Sequence, residues 1–204
     1  MKGLGVLVSG QGTNLQALID AQARGELGPA VLRVVVSNVP GAPALDRALR
    51  AGLPAVLVDH RPFGSDRAAF EEAVLDVLRE HGVELVALAG FMRLLGPTFL
   101  AAFPDRVLNV HPSLLPAFPG MNAIRQALEH GVRITGCTIH LVDQGCDTGP
   151  ILLQAAVPVL PDDDEATLAA RVHAEEHRLY PQAVRLLAEG RIIRQGARAR
   201  ILAE

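Results

Sequence analysis

Tryptophan is absent from the 204-residue chain, and tyrosine and lysine each occur once. Half of the residues are hydrophobic but only 3% are aromatic, so the core must be packed from Ala, Val, Leu and Ile. The formal net charge of −3 lacks the basic excess of a general nucleic-acid binder. No apolar run approaches the roughly 18–20 residues that cross a bilayer. The opening "MKGLGVLVSG" has a Lys and an apolar run, as a signal peptide does. That run is too short, lacks a small-residue cleavage site, and reads as a first strand. A cytoplasmic protein is expected. Cys137 and Cys146 are the only cysteines and suggest no scaffold of bridges.

What the chain does have is a rhythm. Apolar runs at 4–9, 31–37, 54–59, 83–90 and 106–111 alternate with helix-like stretches. The runs are continuous in Val and Leu, as expected for strands covered by helices on both faces. Repeated strand–helix alternation predicts an α/β fold with a doubly wound, mostly parallel sheet. The pattern changes after Pro112: a loop through "SLLPAFPGM", a short helix, then strands at 133–143 and 150–160 joined by "QGCDTG". So short a connection predicts an antiparallel hairpin in the C-terminal half. A last helix opens in the acidic "DDDEATL" and runs to about Gly190, with Pro181 expected to kink or split it. No linker or repeat interrupts the chain, so residues 1–204 read as one domain.

Three groups of residues carry potential chemistry. "SGQGTN" (9–14) lies between a strand and a helix, where glycines allow close backbone approach and helix N–H groups attract phosphate. Thr13 and Asn14 would cap that helix or donate to phosphate oxygens. Leu15 replaces the third glycine of a dinucleotide fingerprint, and the second strand ends in Ser37-Asn38 without an acidic ribose clamp. A turn and cap, or a site for a single phosphate, are the readings left. Asn109 and His111, two apart in a strand, share one face at its carboxyl end, where open parallel sheets bind ligands. An amide donor beside an imidazole suits carbonyl chemistry, although a lone histidine is also often structural. Asp147 in "DTG" is ordinary turn chemistry by itself; beside a histidine it would complete an acyl-transfer site.

"HAEEH" (173–177) matches a zinc-peptidase pattern, with His173 and His177 on one helix face. Only 27 residues follow to supply a third ligand, and no further helix is evident downstream of this one. No metal is expected. His60, His81, His130 and His140 receive no role.

At these residues the sequence resembles the glycinamide ribonucleotide formyltransferase family across nearly its whole length. The resemblance rests on "SGQGTNLQALID", "LAGFMRLL" (88–95), "LNVHPSLLP" (108–116), "DTGPILLQAAVPV" (147–159) and "EEHRLYP" (175–181). It implies a Rossmann-like sheet, with a phosphoribosyl-binding half at 1–105 and a catalytic and folate half at 106–204. It implies the ribonucleotide phosphate on Gly12, Thr13 and Asn14, and the ribose hydroxyls on Glu176. It implies 10-formyltetrahydrofolate, as co-substrate, along Met92, Arg93, Leu94 and Leu95 and beside Asn109, with Arg67 nearby. Asn109, His111 and Asp147 are catalytic by the same analogy. The implied partners are these small molecules, not nucleic acid or membrane, and a homodimer is compatible with the family. The chain departs from some relatives at Ala117, where Lys or Arg is common, and at Asn122 and Ile124, where some carry His.

Two other functions share parts of this pattern. Hydrolysis of 10-formyltetrahydrofolate uses the same central motifs, but in a family with an added N-terminal regulatory domain that this chain is not expected to have. A non-enzymatic mononucleotide sensor would explain loop 9–14 but not the convergence of Asn, His and Asp. Formyl transfer to initiator tRNA would need a C-terminal nucleic-acid-binding domain, also not expected here.

Overall fold

Alternation of Val and Leu along the strands sorts their side chains into two apolar layers, one on each face of a sheet. In the computed structural model, which describes residues 1–203, strand β1 (Lys2–Val8) sends Leu4, Val6 and Val8 to one layer and Leu7 to the other. Strand β4 (Leu85–Leu88) does the same with Leu85 and Ala87 against Val86 and Leu88. This is the period-2 pleat of a sheet covered on both sides. Strands β2 (Ala30–Ser37), β3 (Ala55–Leu57) and β5 (Val107–His111) join them in parallel. Strands β6 (Ile134–Leu141) and β7 (Ile151–Pro158) complete the sheet antiparallel to their neighbours, in the order β3-β2-β1-β4-β5-β6-β7. The doubly wound sheet and its late hairpin are thus as the sequence predicts.

Helices α1 (Thr13–Ala23), α2 (Pro43–Arg50), α5 (Ala123–Glu129) and α6 (Glu165–Ala188) pack into the first layer through Leu15, Leu18, Ala48, Ile124 and Val172. Helices α3 (Arg67–Glu80) and α4 (Pro97–Ala102) close the second layer with Phe70, Val74, Leu78 and Phe99. Ile124 is therefore a core residue.

Three details differ from or add to the sequence reading. Helix α6 runs unbroken across Pro181. The neighbouring Leu179, Tyr180, Ala183 and Val184 are all buried, and this packing offsets the roughly 3 kcal/mol that an interior proline costs. The N-cap of α1 is Gly12 in the left-handed conformation, with no side-chain cap, rather than Thr13 or Asn14. A Cβ on Gly12 would lie 2.7 Å from Cβ of Ala44, so both φ and space require glycine. Finally, β8 (Ile192–Gln195) and β9 (Arg198–Ile201) form a separate two-stranded hairpin that periodicity did not signal. The acidic start of α6 is a capping box: the Asp164 side chain accepts from the Thr167 amide, and Thr167 Oγ1 accepts from the Asp164 amide. Among the described residues no helix is long and apolar enough to cross a membrane.

Candidate active site

Strand β5 sends Leu108 and Val110 into the first layer, so Asn109 and His111 take the opposite face. They emerge at the carboxyl end of the sheet, beside β4 and opposite β6, in register with His140 and Thr138. Pro112 then ends the strand, and Thr138 ties down the loop that follows: its Oγ1 donates to the Ser113 carbonyl and accepts from the Leu115 amide.

Asp147 comes from the β6–β7 connection, where it adopts φ 54°, a left-handed conformation that Asp tolerates better than most residues. Its Oδ2 lies 3.3 Å from His111 Nδ1 and accepts from the Gly120 amide at 2.8 Å. Its Oδ1 accepts from Asn109 Nδ2 at 3.3 Å and lies 3.6 Å from His140 Nε2. Burial alone would push this carboxyl up. The His140 contact, the Gly120 amide and the charge of the two imidazoles outweigh it and hold Asp147 at about 2. Asp147 is therefore ionised near neutral pH before any substrate binds.

The ring of His111 is oriented from both sides. A carbonyl only accepts, so Nε2, 2.8 Å from the Phe118 oxygen, carries a proton. Nδ1 faces the Asp147 carboxylate, and both contacts are satisfied together when both nitrogens are protonated. His140 is the residue that sequence reasoning missed. Its Nδ1 donates to the Leu141 carbonyl at 2.9 Å, while Nε2 lies 3.1 Å from Asn109 Nδ2 and 3.6 Å from Asp147 Oδ1, between the two. Its alignment with Asn109 across β5 and β6 was the available signal, readable only once the antiparallel register is known.

These groups line a cleft of about 460 Å³. One wall is Met92, Arg93, Leu94 and Leu95, and the loop side includes Gly120, Met121 and Asn122. Apolar walls with a few convergent polar groups are what a small-molecule site needs. Arg93 lies over the Phe70 ring, 5.2 Å from its centroid. Arg67 is not among the lining residues; it pairs with Glu71 at 3.6 Å on α3.

A second cleft, of about 390 Å³, runs beside α1 and is lined by Thr13, Gln16, Asp20, Arg24, Arg47 and His177. Arg47 crosses to the glycine-rich loop, where its Nε donates to the Gln11 carbonyl at 2.8 Å. Asn14 and Glu176 are both buried and bonded, Nδ2 to Oε2 at 2.8 Å, and among the described residues Asn14 Oδ1 has no hydrogen-bond partner. His173 Nδ1 also reaches Glu176 Oε2, at 2.9 Å, and that bond raises the His173 imidazole against the opposing effect of burial. The "HAEEH" motif thus forms an imidazole–carboxylate pair with stacked His173 and His177 rings. Among the described residues no three His, Cys, Asp or Glu side chains are grouped as metal ligands. Cys137 and Cys146 are both free, and burial pushes the Cys137 thiol up to about 12. Each cleft draws on both halves of the chain, Met92 with Asp147 in one and Thr13 with His177 in the other.

The formyl transferase family profile matches residues 2–184. A phosphoribosylglycinamide formyltransferase of Bacillus subtilis is 41% identical over 92% of this chain and 95% of its own length. The trifunctional purine biosynthetic protein adenosine-3 of Drosophila melanogaster is 47% identical over 93% of this chain, which spans only 14% of that protein's length. The crystal structure of glycinamide ribonucleotide transformylase 1 from Symbiobacterium toebii superposes with a TM-score of 0.96 at 54% identity, covering 100% of this chain and 95% of that one. The chain belongs to the formyl transferase family, among its phosphoribosylglycinamide formyltransferases.

Proposed function

We propose that the protein transfers the formyl group of 10-formyltetrahydrofolate to the primary amine of glycinamide ribonucleotide, a step of purine synthesis. The observation that carries this reading is the convergence of Asn109, His111, His140 and Asp147 at the rim of the larger cleft. Its volume and its largely apolar wall at Met92–Leu95 suit a pterin ring, which would sit against them. The folate supplies an electrophilic formyl carbon.

The amine attacks that carbon, forming the new C–N bond as the carbonyl becomes an oxyanion. Asn109 Nδ2 donates to the oxyanion in place of its 3.3 Å contact with Asp147, an interaction worth about 3 kcal/mol in comparable sites. His111, held by Asp147, adds positive charge and then protonates the departing folate nitrogen. Nε2 serves in that role only when the Phe118 carbonyl lets it go, which brings loop 112–122 into the reaction. The ionised Asp147 receives the proton lost by the amine, through a water.

The phosphate is placed on the amide end of α1 at Gly12, Thr13 and Asn14, where left-handed Gly12 leaves the first turn without a side-chain cap. Glu176 accepts from the ribose hydroxyls, and a hydroxyl would also satisfy the unpartnered Asn14 Oδ1. These contacts use binding energy away from the reacting carbon to bring two substrates together. Residues 1–105 would then supply most phosphoribosyl contacts and 106–204 the catalytic groups. A cytoplasmic location and a homodimer belong to the same reading, and cell fractionation and sedimentation velocity test them.

Hydrolysis is the nearest rival, because a formyltetrahydrofolate deformylase from Pseudomonas syringae shares the fold, at 25% identity and a TM-score of 0.89. The uncapped α1 terminus and the buried Asn14–Glu176 pair favour a phosphorylated second substrate over water. The purified protein should form formylated ribonucleotide and tetrahydrofolate in equal amounts, detected by chromatography. Folate turnover with no formylated ribonucleotide would refute transfer.

A further inference from the structure

Between the end of β4 and the start of α4, residues 89–96 adopt no helix or strand, yet four of them form the apolar wall of the larger cleft. Backbone N–H groups outside regular structure need other partners, and here they come from side chains at both ends of the wall. Ser9 Oγ accepts from the Met92 amide at 2.9 Å, and Glu71 Oε1 accepts from the Gly96 amide at 2.6 Å.

Glu71 is a buried carboxylate, only 3% of its side chain exposed, and the reaction proposed above does not use it. A buried charge persists where hydrogen bonds and an opposite charge compensate it. The Gly96 amide and the Arg67 guanidinium, 3.6 Å away, are those partners. The backbone approaches so closely that a Cβ on Gly96 would lie 2.8 Å from Glu71 Oε2. Helix α3 grips the wall again where Arg93 lies over Phe70, one residue before Glu71. At the other end Ser9 also donates to Asn38 Oδ1 at 2.6 Å, and its amide donates to the Gly90 carbonyl at 3.0 Å.

We propose that Glu71 and Ser9 are positioning residues that hold Met92–Leu95 in the shape that accepts the pterin. Arg67 then acts on the folate side through Glu71, by bracing its carboxylate. Ser9 opens the glycine-rich loop, so the same side chain ties the folate wall to the segment that receives the ribonucleotide phosphate. This inference rests on the reading of the larger cleft as the folate site.

The test is steady-state kinetics for both substrates, with calorimetric titration of tetrahydrofolate, on the full chain and on Glu71→Ala, Glu71→Gln and Ser9→Ala. Losing the anchor in Glu71→Ala should raise the folate KM and the tetrahydrofolate Kd about tenfold, the scale of one hydrogen bond to a charged group. The ribonucleotide KM should stay within about twofold in that variant. Glu71→Gln keeps an acceptor oxygen for Gly96 and should recover most of the folate affinity. Ser9→Ala should weaken folate binding and, unlike the Glu71 variants, ribonucleotide binding too.

Folate constants unchanged in folded Glu71→Ala would overturn the proposal, as would equal losses for both substrates in Glu71→Ala and Glu71→Gln. Should Glu71→Ala fail to fold, wild-type tetrahydrofolate affinity in Ser9→Ala overturns it just as well. A wild-type protein that binds tetrahydrofolate without transferring formyl contradicts the functional reading, while the titrations still decide the wall. One that binds no tetrahydrofolate contradicts both.

Discussion

His111 Nδ1 lies 3.3 Å from Asp147 Oδ2, while Nε2 of the same ring lies 2.8 Å from the Phe118 carbonyl oxygen. The imidazole is therefore clamped between a carboxylate on one loop and a carbonyl on another. Its orientation depends on both.

Removing the carboxylate's charge should disable the clamp with little change in shape. Asp147→Asn is expected to lower kcat by about 10²–10⁴-fold, the usual range for a lost acid–base partner. The tetrahydrofolate Kd, measured by titration, should change little. Full activity in this variant would remove Asp147 from the mechanism.

The pH dependence of Asp147 has a defined sign. Its folded value of about 2 lies below the ordinary 3.8, so its ionised contacts stabilise the fold above about pH 3.8 and are lost as pH falls toward 2. Activity lost on acidification between pH 6 and 4 must then come from another group. Chemical denaturation of wild type and Asp147→Asn at pH 6 and pH 3 should show the stability difference shrinking at the lower pH.

His173 has the opposite sign. Its imidazole is raised above 6.5 mainly by its bond to Glu176, with burial opposing. The pair's contribution is complete below pH 6.5 and is lost as pH rises through the folded value. The difference in Tm between wild type and His173→Ala should be larger at pH 5.5 than at pH 8.5. The neighbouring His177, lowered by burial, and Asp20 line the cleft beside α1 and stay intact in both proteins.

His140 holds Asn109 rather than reaching the cleft alone, so its loss should act through the amide. His140→Phe is expected to lower kcat about tenfold or more, the scale of one misaligned oxyanion donor, with the ribonucleotide KM near wild type. A loss confined to KM would contradict this role.

A charge placed at the α1 terminus tests the phosphate site. Thr13 is exposed there, and Thr13→Glu adds a carboxylate at the proposed phosphate site. The ribonucleotide KM should rise at least about tenfold while the folate KM holds. Equal effects on both would mean that loop 9–14 is a structural turn.

Much of this arrangement was legible from residue order alone. Continuous Val and Leu runs gave the parallel strands, and the two-residue spacing of Asn109 and His111 gave their shared face. His140 was not legible, because its place depends on the β5–β6 register set by residues 31 positions apart. Gly12 as N-cap depends on a close approach to Ala44, and the unbroken helix at Pro181 depends on tertiary burial. Arg67 illustrates the same limit: the family resemblance named it, and only the packing of α3 places it against Glu71. Local pattern sets which face a side chain takes, and long-range packing decides what it meets there.

The central claim is transfer to an amine rather than hydrolysis or silent binding. Supplying 10-formyltetrahydrofolate with a ¹³C-labelled formyl group, with and without glycinamide ribonucleotide, tests it most directly by NMR. The label should appear in the ribonucleotide amide, with tetrahydrofolate released only when the ribonucleotide is present. Label released as formate at the same rate without the ribonucleotide would contradict the account.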